Sequence, residues 1–190
     1  MRTAFLCTFI WIAAFAAPVA AEPLVRMNTS YYYIDGASAL LLTEQINQKG
    51  PTGVDGSRYP ARTRWEAQWR FRHNMHDGVC KMEDVAVAMG VTTLRPRWRS
   101  ESKGAKSLQV RWKQLMAAVD RNQQFHTAQA KRAGEEIEKA LWNLAPAKTC
   151  EDYSSVADAA ASRILRKYQA ISEDHDRRTE YGRKDGASLL

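Results

Sequence analysis

Residues 122–126 read Asn-Gln-Gln-Phe-His, inside a long run of helical periodicity. On such a helix, zinc hydrolysis is supported by His-Glu-x-x-His. Two imidazoles one turn apart hold the ion, and the glutamate between them takes a proton from bound water. Here the second imidazole is present as His126, while Asn122 stands at the first ligand position and Gln123 at the general-base position. An amide oxygen is a weak neutral ligand, and Gln123 cannot accept a proton at neutral pH. Catalytic zinc needs about three protein ligands and an open position, and this stretch supplies one. No histidine completes a longer motif at Ala133-Gly134.

A second histidine pair, His73 and His76, has i, i+3 spacing in what reads as a polar turn before Asp77-Gly78. There it is expected to be solvated rather than to ligate a metal. There is no Gly-x-Ser-x-Gly and no Gly-rich phosphate loop.

The elements that must position these side chains follow from the hydrophobic pattern. Leu108, Trp112, Leu115, Val119, Asn122, His126, Ala130, Ala133, Ile137, Leu141 and Leu144 recur at steps of three and four, which makes one buried helical stripe. Asn122 and His126 belong to it, and Gln123 lies beside it. Ala145-Pro146 ends that helix, and a second one is expected over 153–171. Before them, 29–34 reads as a tyrosine-rich strand and 37–48 as a short helix. From 63 to 71, Thr63, Trp65, Ala67, Trp69 and Phe71 alternate with polar residues, a half-buried strand. Residues 80–94 give a third strand and 95–105 a basic loop. The expected fold class is α+β: a small, mainly antiparallel sheet packed on a long helix plus a second helix.

Length and composition suit one domain of 190 residues. Met1-Arg2, the apolar stretch 4–17, Pro18 and Val19-Ala20-Ala21 read as a signal peptide cleaved after Ala21. The expected product is a periplasmic or extracellular chain, 22–190, with no transmembrane span. Export bears on the two remaining cysteines, Cys80 and Cys150, which form a disulfide in an oxidising compartment. The alternative is a pair of zinc thiolates, which no Cys-x-x-Cys spacing supports.

Net charge is +7, concentrated in residues 58–113, which hold 13 Lys and Arg against 5 Asp and Glu. Arginines among Trp65, Trp69 and Trp98 suit a polyanion, but the tryptophans share the face opposite Arg64 and Arg70 and read as core. For an exported chain, an anionic envelope surface is a more fitting partner than nucleic acid.

Several of these residues resemble a bacterial domain of unknown function described as predicted secreted zinc-dependent proteases. The resemblance runs through Tyr33-Ile34-Asp35-Gly36, Thr63-Arg64-Trp65 with Trp69, Cys80, Trp112 with Leu115, and Cys150. It closes on His175-Asp176, Thr179, Tyr181-Gly182 and Asp185-Gly186-Ala187. It covers nearly the whole mature chain, with order and spacing matching at both ends.

The resemblance implies a zincin-like arrangement, with the family's His-Glu-x-x-His on Asn122, Gln123 and His126 and a later ligand histidine on Tyr181. One of four metal-site residues remains, so an eroded site and a non-catalytic, protein- or peptide-binding role are expected. The resemblance also implies that the C-terminal segment lies over the helix. A rebuilt zinc site would then use His126, His175 and Asp176.

Overall fold

The computed structural model describes residues 23–190; the expected signal peptide lies outside the described residues. Three strands, β1 (Leu24–Ile34), β2 (Arg62–His76) and β3 (Val79–Trp98), make one sheet of order β1-β3-β2. Three α-helices accompany it: α1 (Ala39–Lys49), α2 (Lys106–Trp142) and α3 (Cys150–Thr179). The class is α+β, as the hydrophobic pattern predicts.

The sheet is mixed rather than mainly antiparallel. β2 and β3 form a hairpin, but β1 runs parallel to β3, from Leu24 opposite Ala88 to Ile34 opposite Trp98. β1 is therefore an edge strand whose other side has no strand neighbour among the described residues.

All three strands outrun their expected lengths, β1 by starting at Leu24 rather than at 29. β2 continues through His73 to His76, which leaves only Asp77-Gly78 as the turn, both at positive φ. β3 continues through Arg95–Trp98 despite Pro96. Pairing with β2 ends at Leu94, so beyond it β3 has a partner on one side only, where a missing N–H is tolerated.

The helices cover one face of the sheet, and the core falls into two apolar clusters. One joins Ile34, Leu42, Trp98 and the first half of α2, including Trp112 and Leu115. The other joins Val85–Val91 of β3, the second half of α2 from Ala130 to Leu141, and Ala157, Ala161 and Ile164 of α3. The inner-face tryptophans of β2 are half-buried and reach α3. The Trp65 indole N–H donates to Ser172 Oγ at 3.3 Å and that of Trp69 to Asp158 Oδ1 at 2.9 Å.

α3 is capped by Thr149, whose hydroxyl accepts from the Asp152 N–H. Glu151 and Asp152 in its first turn and Arg177 and Arg178 in its last complement the helix dipole. It runs eight residues beyond the expected Ile171. Cys80 and Cys150 are joined in a disulfide, with Cα atoms 5.2 Å apart, fastening the start of α3 to β3.

Candidate functional site

Between the two apolar clusters α2 carries a polar interval, Asn122, His126 and Gln129, all buried. The last turns of α3 pass over it, because the helix continues through the polar run 172–179. Two pairs form across the helices. His126 Nε2 lies 2.9 Å from Asp176 Oδ1, and His175 Nε2 lies 2.9 Å from Asn122 Oδ1. An ionised carboxylate and an amide oxygen only accept, so each imidazole donates through Nε2. His175 stacks on Phe125 with ring centroids 3.7 Å apart, and the His126 and His175 rings meet edge to face at 5.7 Å. Burial, with the nearby His126 adding to it, pulls the His175 pKa below the ordinary histidine value.

The partner of His126 is thus Asp176, and neither Asn122 nor Tyr181 meets its ring nitrogens. Tyr181 is buried but faces elsewhere. Its ring packs on Tyr59 at 4.1 Å, and its hydroxyl accepts the Val54 N–H at 2.8 Å. The chain reaches that position through three successive left-handed residues, Glu180, Tyr181 and Gly182, at φ of 50°, 53° and 84°. A Cβ on Gly182 would stand 3.2 Å from Asn122 Cβ, so the turn closes directly over the helix.

Gln123, at the general-base position, has its side-chain oxygen 3.4 Å from an Arg95 guanidinium nitrogen, which also holds Asp120 at 2.7 Å. Arg95 had no sequence signal beyond its charge. It is brought to α2 only because β3 extends past Leu94.

These residues do not fit zinc as they stand. His126 and His175 have their Nε2 atoms committed to Asp176 and Asn122, while His126 Nδ1 is buried with no partner among the described residues. Among the described residues, the group of three His, Cys, Asp or Glu ligand atoms lying within 4.8 Å of one another is His73, Cys80 and Cys150. Two of those are the disulfide. A guanidinium at Gln123 adds positive charge beside the position a dication would take.

His73 and His76 are not a ligand pair. They lie three apart on a strand and so point to opposite faces. His73 bonds Ser154 Oγ at 2.6 Å and His76 pairs with Glu83 at 2.9 Å.

Beside Gln123 a groove of about 690 Å³ opens between β1 and α2, lined by Val25, Met27 and Thr29 on one wall and Gln123, Gln124 and Thr127 on the other. Met27 is 70% exposed there.

Part of the basic stretch is engaged by the protein's own groups. Arg58 and Arg62 donate to the Gly50 and Thr52 carbonyls, and Arg72 pairs with Asp84. Arg97 and Arg99 lie over the Tyr31 and Tyr33 rings.

A family described as bacterial protein of unknown function (DUF922) matches residues 29–182. That span runs from β1 to the glycine that closes over Asn122. No curated protein and no solved structure matches the chain.

Proposed function

Because the chain belongs to the DUF922 family of bacterial proteins, we propose that it is an exported binding protein built on a protease-like framework. It holds an extended peptide segment along the open edge of β1 and does not cleave it. One observation carries this reading: the α2 wall of the groove beside that edge presents Gln123, a neutral amide held by Arg95, where a hydrolase needs a carboxylate. An unpaired strand edge offers a peptide a ladder of backbone donors and acceptors, and alternate side chains would enter the groove at Met27 and Gln124. The disulfide supports export, since such bonds persist in oxidising compartments. The zincin-like comparison rests on the resemblance, and the position of Asn122 and His126 on the long helix below the sheet is compatible with it.

The test is metal analysis of purified chain 22–190 after dialysis against zinc buffer, together with a peptide library offered for both cleavage and binding. Less than a tenth of an equivalent of zinc, no cleavage, and saturable binding weakened by Met27→Asp are expected. Stoichiometric zinc lost on His126→Ala would instead establish the rebuilt ligand set of His126, His175 and Asp176.

A second reading rests on a depression of about 520 Å³ bordered by Tyr33, Arg97, Arg99 and Lys113, where cationic groups gather at one place on the basic surface and could meet an anionic envelope polymer. Binding of that kind falls steeply with salt, whereas strand-edge binding does not.

A further inference from the structure

His73, Cys80 and Cys150 offer one nitrogen and two sulfurs, all within 4.8 Å of one another. Three elements bring them together. Cys80 lies at the start of β3 and exchanges both backbone hydrogen bonds with Ala147, at 2.8 and 3.1 Å, which fixes the approach to α3. Cys150 is the first residue of α3. His73 stands near the end of β2. There the register passes from Arg72 opposite Asp84 to His73 opposite Met82, so Glu83 is an extra residue in the ladder. Side chains alternate along a strand, and that one insertion returns Cys80 and Met82 to the helix-facing side that Val85 and Val87 occupy.

The imidazole is held as a ligand would be. Ser154 Oγ, one turn into α3, donates to the Cys150 carbonyl at 3.3 Å and so accepts the His73 Nε2–H at 2.6 Å. In the neutral ring the other nitrogen, Nδ1, is then bare. It lies 3.5 Å from Cys80 Sγ, and a disulfide sulfur has no proton to offer it. The ring packs edge-on against the buried Tyr153, with centroids 5.8 Å apart. Metal-binding histidines share this arrangement: one ring N–H donates to an outer partner, which fixes the tautomer and leaves the other nitrogen for the ion. The distance fits as well. Zinc bonds of about 2.0 Å to nitrogen and 2.3 Å to sulfur, at a tetrahedral angle, put those two atoms about 3.5 Å apart.

We propose that this cluster becomes a zinc site when the disulfide is reduced, with Cys80 Sγ, Cys150 Sγ and His73 Nδ1 as ligands and water in the fourth position. The reductant is a dithiol. Its thiolate attacks Cys150 Sγ, the partly exposed sulfur, because Cys80 is fully buried. The S–S bond breaks and its electron pair leaves on Cys80. The second thiol of the reductant then displaces the first from Cys150 and closes the reductant's own disulfide. The two protons of the dithiol pass to Cys80 and Cys150, and binding of the ion releases them to solvent. The sulfurs part to about 3.8 Å, the separation of two thiolates on one tetrahedral zinc. The ion then fastens the start of α3 to β3 as the disulfide does, so the last turns of α3 stay over Asn122 and His126 in either state.

The experiment reduces chain 22–190 with dithiothreitol, desalts it without oxygen, and titrates it with cobalt and then with zinc. The reduced chain takes up one equivalent of cobalt, with a thiolate-to-metal charge-transfer band and the intense visible bands of a tetrahedral ion, and zinc displaces it. The oxidised chain shows neither band. Ser154→Ala weakens cobalt binding about tenfold, and His73→Ala weakens it more. His76→Ala, on the opposite face of β2, leaves it unchanged. Zinc raises the melting temperature of the reduced chain but not that of reduced His73→Ala. Absence of the cobalt bands in the reduced chain, or equal affinity with His73→Ala, would overturn the site. So would a reduced chain that stays unfolded with zinc present. Cobalt kept with His73→Ala but lost with His126→Ala would put the ion between α2 and α3 instead, which refutes this site and supports the rebuilt ligand set there.

Discussion

His126 on α2 and Asp176 on α3 are joined by a 2.9 Å hydrogen bond with the imidazole almost wholly enclosed. This single contact ties the middle of one helix to the end of the other at the level where the apolar core is interrupted.

Removing the imidazole therefore costs more than a cavity. His126→Ala leaves Asp176, whose side chain is only 14% exposed, without its donor. A loss of about 2–4 kcal/mol is expected from breaking such a pair. His126→Gln, which can still donate, should lose less. Urea unfolding of the two variants decides the matter, and equal midpoints would show that the pair contributes nothing.

His175 gives the fold a pH response. Its folded-state pKa lies below the ordinary histidine value, so the unfolded chain binds the proton more tightly. Stability is then full above the unfolded pKa of about 6.5 and falls as pH drops from there toward the folded pKa. The melting temperature of the parent chain should decline between about pH 7 and 5 more steeply than that of His175→Gln. Parallel profiles would remove His175 as the cause.

The left-handed turn over Asn122 is sensitive to a single methyl group. Gly182→Ala adds a Cβ at positive φ and sets it against Asn122, for an expected loss of about 1–2 kcal/mol. Tyr181→Phe removes only the acceptor for the Val54 N–H and should cost about 1 kcal/mol. Thermal melts of both check the order, which would be reversed if the hydroxyl held the turn.

The disulfide closes a loop with a sequence separation of 70. Cys80→Ser with Cys150→Ser should lower stability by about 4 kcal/mol in the chain-entropy account. The midpoint of denaturation, compared with that of the intact chain, measures it.

The reach of the sequence follows from how local each signal is. The alternation in β2, the stripe on α2 and the two cysteines are patterns within a few residues or a simple count, and each predicts the element or bond observed. The pairing of β1 with β3 joins residues 64 apart in parallel, as at Leu24 and Ala88, and no short pattern encodes it. The end of α3 was hidden by composition. Residues 172–179 are polar because they cover a polar interval on α2, not because they form a loop. The site residues Asn122, His126, His175 and Asp176 were legible as candidates, whereas their pairing required the helix to continue. Arg95 and Phe125 carried no signal beyond residue type.

The polar interval on α2 also acts as an alignment mark. An uninterrupted apolar seam lets two helices trade one packing for another shifted by a turn, at little cost. Here a one-turn shift toward the C-terminal end of α2 would bring Asp176 to the fully buried Ala130, where nothing can meet a carboxylate. The quartet of side chains thus makes the shifted arrangement a poor competitor. The same four side chains that interrupt the apolar core thus measure one helix against the other.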